Sequence, residues 1–328
     1  MPNSDELILG MLVEAGDDFL PGAALCDKLG LSNSAVFKHL EGLRRLGYRI
    51  ETSSTRGFRL IEVPDRLTSL EVAPYLFTRD IGRTIHFEET TESTNALAMS
   101  LANDGAQHGD VVIADQQTSG RGRRGRRWES PAHKNLYCSV ILRPDLPKAR
   151  AGELTLVAAV ALADTLRESG VDAQIKWPND VLANGKKLAG VLCELSSADD
   201  ETVVVMGLGV NLNAEPADFS DEVRALATSV RVERKQVVSR PLFTAALFSK
   251  LEDWLDVHAN EGFEAIRRAW KERATTIGQE VLVRTDSKET RGVALDLDET
   301  GALLLKTATG TERIVAGDVE HVKAKKST

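Results

Sequence analysis

The chain has 328 residues, 42% hydrophobic and 27% charged, which suits a soluble globular protein of two or three domains. Its net charge of −8 argues against nucleic-acid binding by the chain as a whole. The longest apolar run, Leu154 to Leu166, is too short to cross a bilayer and contains Asp164.

The opening Met1 to Glu6 lacks the basic run of a secretory signal. Cys26, Cys138 and Cys193 fit neither a disulfide framework nor a zinc spacing, and read as core thiols in a cytoplasmic protein. Residues 5–15 have apolar positions at helical spacing. Pro21 starts a second helix, from about Gly22 to Lys28, which Gly30 breaks. Ser32 is a good N-cap for a third helix, with Val36, Leu40 and Leu43 on one face and Gly47 as its stop. YRIETSS and GFRLI then flank Thr55-Arg56-Gly57 as a hairpin. Helix, helix, turn, helix, hairpin is the order of a winged helix-turn-helix.

Within the acidic chain, residues 31–60 carry six basic side chains against two glutamates, net +4, a local footprint suited to a phosphate backbone. Ser32, Asn33, Ser34, Lys38 and His39 open the recognition helix, where short polar side chains reach base edges and lysine reaches phosphate. Arg56 sits at the wing tip. A winged helix can also serve protein contacts alone, since a fold is not a function.

Pro64 begins a linker of ten to twenty residues. Residues 83–90 and 111–114 read as strands around a helix from Thr94 to Asn103, followed by a strand at 135–142 and a helix from Leu154 to Ser169. AQIKWPNDVLAN, GKKLAGVLCEL and TVVVMGLGVNLN read as strands joined by tight turns such as Asn184-Gly185. Leu242 to Trp270 is helical with a break near Gly262, and the strands after Gln279 form a small all-β barrel.

GRGRRGRR at 120–127 matches G-x-G-x-x-G, but Trp128-Glu129-Ser130-Pro131 opens no helix after it, so a dinucleotide fold is disfavoured. Glycines let the backbone wrap a ligand, and arginines supply forked donors to carboxylate and phosphate. The segment thus describes a mobile loop over a small anion or, equally, a solvated basic loop.

The surroundings break that tie. Glu92-Ser93-Thr94-Asn95, QTSGRGRRGRRW at 117–128, KWPND at 176–180, KKLAGVL at 186–192 and GLGVNLN at 207–213 occur in order, and through them the sequence closely resembles the biotin–protein ligase family over nearly all of 83–322. The winged helix makes it resemble the bifunctional members, which are ligase and biotin operon repressor in one chain. The resemblance implies an α+β protein. It would have a winged helix-turn-helix at 1–63, a linker at 64–82, a central mixed-sheet, class II synthetase-like catalytic domain at 83–274 and an SH3-like β-barrel at 275–328.

It also implies a reaction. Biotin attacks ATP to give biotinyl-5′-AMP and pyrophosphate, and a lysine of a biotin carboxyl carrier protein then takes the biotin. No covalent enzyme intermediate is needed, so the lack of a nucleophile–base signature is no objection. By resemblance, Ser93, Thr94, Asn95 and Gln117 hold the biotin head, and Arg121, Gly122 and Arg123 close over biotin and phosphate. Lys187 meets the carboxylate or α-phosphate and, with Arg123, is catalytic. Arg126, Lys176, Asn179, Asp180 and Asn211 face ATP, with Asp180 as the contact for Mg2+. Ser93 also suits a plain helix N-cap, and Trp128 and Trp177 read as packing residues. The adenylate-bound form would dimerise through the central domain on operator DNA, with no membrane partner. A lipoate-type ligase, a ligand-sensing repressor without ligase activity, and a ligase with a vestigial winged helix are the rival readings.

Overall fold

The structure is a computed structural model that describes residues 4–196 and 201–322. Its first helices are α1 (Ser4–Glu14), α2 (Gly22–Leu29) and α3 (Asn33–Arg45), followed by the hairpin strands β1 (Arg49–Ser53) and β2 (Gly57–Glu62). Ser32 caps α3 by accepting from Ala35 N at 3.3 Å. Ile8, Leu12, Leu25, Val36, Leu40, Leu43 and Phe58 close a core of their own. Gly57, at φ +106°, lies against Leu20, where an added Cβ would meet the Leu20 carbonyl oxygen at 2.1 Å.

The segment read as a linker is packed rather than loose. It contains α4 (Ser69–Val72) and buries Leu67, Val72, Leu76 and Ile81 in the central core. Glu71, fully buried, accepts from Tyr48 Oη at 2.9 Å and Arg66 Nη2 at 2.7 Å, and also from Thr68. Its carboxylate therefore ties the winged domain's core tyrosine to the segment that follows. Asp65 is held by Arg240, whose Nε donates to Oδ2 at 3.0 Å while Nη1 donates to buried Asp115 at 2.7 Å. The guanidinium is completely enclosed, so these carboxylates compensate its desolvation.

The central layer holds β3 (Ile85–Thr91), α5 (Thr94–Asn103), β4 (Val111–Gln117), β5 (Leu136–Leu142) and α6 (Glu153–Glu168). β6 (Ala173–Lys176), β7 (Asp180–Ala183), β8 (Lys186–Leu195) and β9 (Val204–Val210) follow. They form a seven-stranded sheet in the order β3-β4-β5-β9-β8-β7-β6, parallel only between β3 and β4. AQIKWPNDVLAN, read as one strand, is two: β6 and β7 pair antiparallel about a turn at residues 177–179, with Lys176 opposite Asp180. Pro178 cannot donate to a ladder, which favours a turn there. Asn184 and Gly185 both have positive φ, as a two-residue hairpin requires.

Short helices α7 (Asp221–Arg224) and α8 (Val230–Arg234) precede α9 (Arg240–Glu261), and Gly262 separates it from α10 (Phe263–Arg273). α6 packs between the sheet and these two long helices and is buried nearly all round. The last strands, β10 (Glu280–Arg284), β11 (Glu289–Leu297), β12 (Leu303–Thr307), β13 (Gly310–Ile314) and β14 (Asp318–His321), form an antiparallel sheet in the order β13-β12-β11-β10-β14. No helix is long and apolar enough to cross a membrane, among the described residues.

Candidate ligand pocket and DNA-facing surface

One pocket gathers the start of α5, the end of β4, the arginine loop and the facing parts of β7, β8 and β9. Its lining includes Ser93, Thr94, Asn95, Gln117, Arg121, Gly122, Arg123, Arg126, Asn179, Asp180 and Lys187. Lys176 and Asn211 do not line it. Lys176 lies close enough to His321 of the C-terminal sheet to depress its pKa, after burial, which is the larger cause. Asn211 is buried and donates to Thr228 O at 3.0 Å, so its amide braces the chain after β9.

The polar head of the pocket is a hydrogen-bonded set. Ser93 occupies the N-cap position of α5 but makes no side-chain cap bond. Gln117 Oε1 accepts from Thr94 N at 2.9 Å, and Gln117 Nε2 donates to Ser130 Oγ at 3.0 Å. Asn95 Nδ2 donates to Leu192 O at 3.1 Å and to Glu194 at 2.7 Å. Ser139, Ser130 and Glu194 were not singled out by sequence reasoning. A lone serine inside the apolar run LYCSVIL was the available signal for Ser139.

Glycines make the cavity. A Cβ on Gly207 would meet Asn95 Oδ1 at 2.1 Å, and one on Gly209 would meet the Trp128 ring at 2.6 Å. Trp128, read as a packing residue, lines the pocket instead, and its buried Nε1 has no protein partner. Trp177 is buried and donates from Nε1 to Gly301 O at 3.1 Å, as packing predicts.

The cationic part divides in two. Lys187 Nζ lies 2.6 Å from Asp180 Oδ1 and 5.3 Å from the Trp128 ring centroid. Arg123 Nη1 donates to Asn179 Oδ1 at 3.2 Å. Burial lowers the Arg123 pKa, against the pull of Asp318 and Asp180. Arg124 and Gly125 take successive left-handed conformations, and this turn sends other arginines outward. Arg124 Nη1 donates to Arg284 O at 2.9 Å, and both Arg124 and Arg126 pair with Asp318 of β14. The loop is therefore clasped to the C-terminal sheet. No group of three or more His, Cys, Asp or Glu side chains is arranged to hold a metal ion, among the described residues.

On the winged domain, Asn33, Ser34 and Lys38 are exposed on the first turns of α3. Ser32 is partly engaged as the cap. His39 is turned back, with Nδ1 2.8 Å from Asp5 Oδ1. The Arg56 guanidinium stacks 3.9 Å from the Phe19 ring centroid at the wing.

A winged helix-turn-helix is thus joined to a domain whose arginine loop lines a small polar pocket. The family model "Biotin/lipoate A/B protein ligase family" matches residues 87–211, "Biotin protein ligase C terminal domain" matches 276–322, and "HTH domain" matches 5–59. The bifunctional ligase/repressor BirA of Bacillus subtilis is 37% identical over 95% of this chain and 97% of its own. The biotin–[acetyl-CoA-carboxylase] ligase of Paracoccus denitrificans is 39% identical over 70% of this chain and 97% of its own. A biotin protein ligase from Aquifex aeolicus, in complex with biotin and ATP, superposes with a TM-score of 0.65 at 26% identity, over 74% of this chain and 100% of that one. The chain belongs to the biotin protein ligase family and carries the N-terminal helix-turn-helix of its bifunctional members.

Proposed function

We infer that this protein activates biotin with ATP as biotinyl-5′-AMP and transfers it to a lysine of a biotin carboxyl carrier protein. It also represses biotin-synthesis genes, with the adenylate as corepressor. The observation that carries this reading is the meeting of a neutral hydrogen-bonding head with a cationic wall in one pocket. The head suits a cyclic urea, which offers one carbonyl and two N–H groups. The wall suits a carboxylate meeting a phosphate.

In this reading Ser93, Thr94, Gln117 and Gly122 contact the bicyclic head, while Asn95 supports Thr94. Lys187 and Arg123 draw the biotin carboxylate and the α-phosphate together and neutralise the charge that builds as the new P–O bond forms and pyrophosphate leaves. Arg121 and Asn179 face the phosphates, and Arg126, clasped to Asp318 at the rim of the pocket, would have to leave that carboxylate to join them. Asp180 fits Mg2+, which favours one or two carboxylates plus phosphate oxygens and would neutralise the triphosphate. Lys187 Nζ, 2.6 Å from Oδ1, holds that carboxylate in place. The acceptor lysine then attacks the mixed anhydride, releasing AMP.

For repression we propose that Asn33, Ser34 and Lys38 meet operator DNA, with Ser32 fixing the helix start and Arg56 the wing. The adenylate-bound protein would act as a homodimer.

ATP–pyrophosphate exchange tests the enzyme reading, comparing biotin, lipoate and octanoate. Exchange should appear with biotin alone and fall about 100-fold or more in Lys187→Ala. Exchange with lipoate instead would make this a lipoate-type ligase, and none from folded protein would leave a regulator. Binding to promoter DNA of the biotin genes should require biotin plus ATP and weaken steeply with salt.

A further inference from the structure

Phe37 has no part in the function described above, although it stands among the residues that meet DNA. A lone apolar side chain on a surface needs no explanation, but this one has a particular setting. It follows Asn33 by four residues and Ser34 by three, so it shares their face of α3. It is 46% exposed, and its ring meets buried Phe58 of β2 edge to face, with centroids 5.3 Å apart and planes at 79°. The wing strand therefore fixes one side of the ring and leaves the rest bare. A groove runs from Phe37 to the hairpin turn, lined also by Asn33, Ser53, Ser54, Thr55 and Arg56. Residues 31–60 are net +4, so this groove suits one strand of a duplex, passing between the base edges that α3 meets and the wing.

Asn33, one helical turn before Phe37, is already oriented. Its Oδ1 accepts from the Cys26 thiol at 3.2 Å, which leaves Nδ2 to donate elsewhere. A donor thus stands beside an apolar ring on one helix face. Thymine is the base whose major-groove edge sets an acceptor, O4, beside an apolar group, the 5-methyl. Cytosine puts a donor where O4 stands and has no methyl, and the purines offer no apolar group there. The methyl lies on the edge of the base nearest its own backbone, as Phe37 lies on the side of α3 nearest the groove.

We propose that Phe37 determines operator specificity by covering the 5-methyl of one thymine, whose O4 accepts from Asn33 Nδ2. This rests on the repressor reading and deepens it, since it names the base that the recognition helix selects. Lys38 on a phosphate adds affinity without sequence. The Phe37 contact is apolar, so it discriminates between bases and releases no counterions. Because Phe58 already fixes the ring, little rotamer freedom is lost on binding.

The test is binding of the full chain, with biotin and ATP, to promoter DNA of the biotin genes in which single thymines are replaced by uracil. That exchange removes the methyl and keeps every hydrogen-bonding group. Wild type should lose about fourfold in affinity at one thymine per half-site. In Phe37→Ala that difference should vanish while the salt slope stays that of wild type. Lys38→Ala should do the reverse, keeping the thymine preference and lowering the slope by about one. Phe37→Leu keeps an apolar side chain and should keep part of the preference, so a folding defect in one variant does not decide the matter. A wild type indifferent to every exchange, or a Phe37→Ala that loses as much as wild type at the same thymine, would overturn the proposal. So would a Phe37→Ala that keeps the preference but self-associates less without DNA, which would make Phe37 a contact between copies of this chain. If wild type shows no salt-dependent binding to the DNA, the repressor reading fails and the proposal with it; if it binds and the preference does not depend on Phe37, only the role of Phe37 fails.

Discussion

Gly209 shows how a missing side chain makes a binding site. A strand glycine is ordinarily a weakness, since it packs nothing and costs backbone entropy. Here it lets the Trp128 ring lie against β9, where a Cβ would come within 2.6 Å of it. Gly209→Ala should displace that ring into the pocket at a cost of about 1–3 kcal/mol. Biotin affinity by calorimetry should fall while far-ultraviolet circular dichroism stays unchanged. GLGVNLN was legible as a motif, but the purpose of its glycines was not, because the Asn95 amide that Gly207 admits and the Trp128 ring that Gly209 admits come from far earlier in the chain. Lys176 and Asn211 illustrate the same limit. Both belong to motifs that reach the pocket, yet a motif does not tell which way each side chain points.

At the scale of elements, the turn between β11 and β12 depends on one carboxylate. Asp298 Oδ1 accepts from Thr300 N at 2.8 Å and Ala302 N at 2.9 Å, and Oδ2 accepts from Arg313. Burial alone would raise its pKa, but these bonds outweigh it and hold the pKa at about 2. Because the folded pKa is depressed, the carboxylate stabilises the fold above its unfolded pKa, near 4. That stability is lost as pH falls through about 4 toward about 2. Urea midpoints across this range should show an acid-dependent loss that Asp298→Asn removes, the variant being weaker by about 1–3 kcal/mol at neutral pH. Several elements were readable locally. The cap at Ser32, the turn at Asn184-Gly185 and the break at Gly262 each follow from the conformational preference of one or two residues. The split of AQIKWPNDVLAN was missed because Val181 and Ala183 resume, beyond the turn, the alternation of Ala173, Ile175 and Trp177, with only Pro178 and Asn179 between them.

For the whole molecule, the decisive contacts join distant segments. Arg240 links Asp65, just after the winged domain, to Asp115, two residues before Gln117 of the pocket. Arg240→Met should cost about 1.5–3 kcal/mol by leaving buried Asp115 with His133 alone of its two paired side chains. Chemical denaturation would measure this, and added Asp115→Asn should recover part of the loss. The Asp318 clasp likewise ties the arginine loop to the C-terminal sheet.

Periodicity and turn chemistry were enough for the winged helix, because it follows from apolar spacing and turn residues within short windows, while the α+β class came with the motif resemblance. Motif resemblance added the ligase chemistry. The folded chain alone decided which arginines face inward and which are clasped outward, that Trp128 walls the pocket, and that the linker is packed. It also brought Ser139 and Arg240 to their partners. Those outcomes depend on contacts between residues far apart in the chain, and local preference carries no information about which distant partner will satisfy a buried polar group.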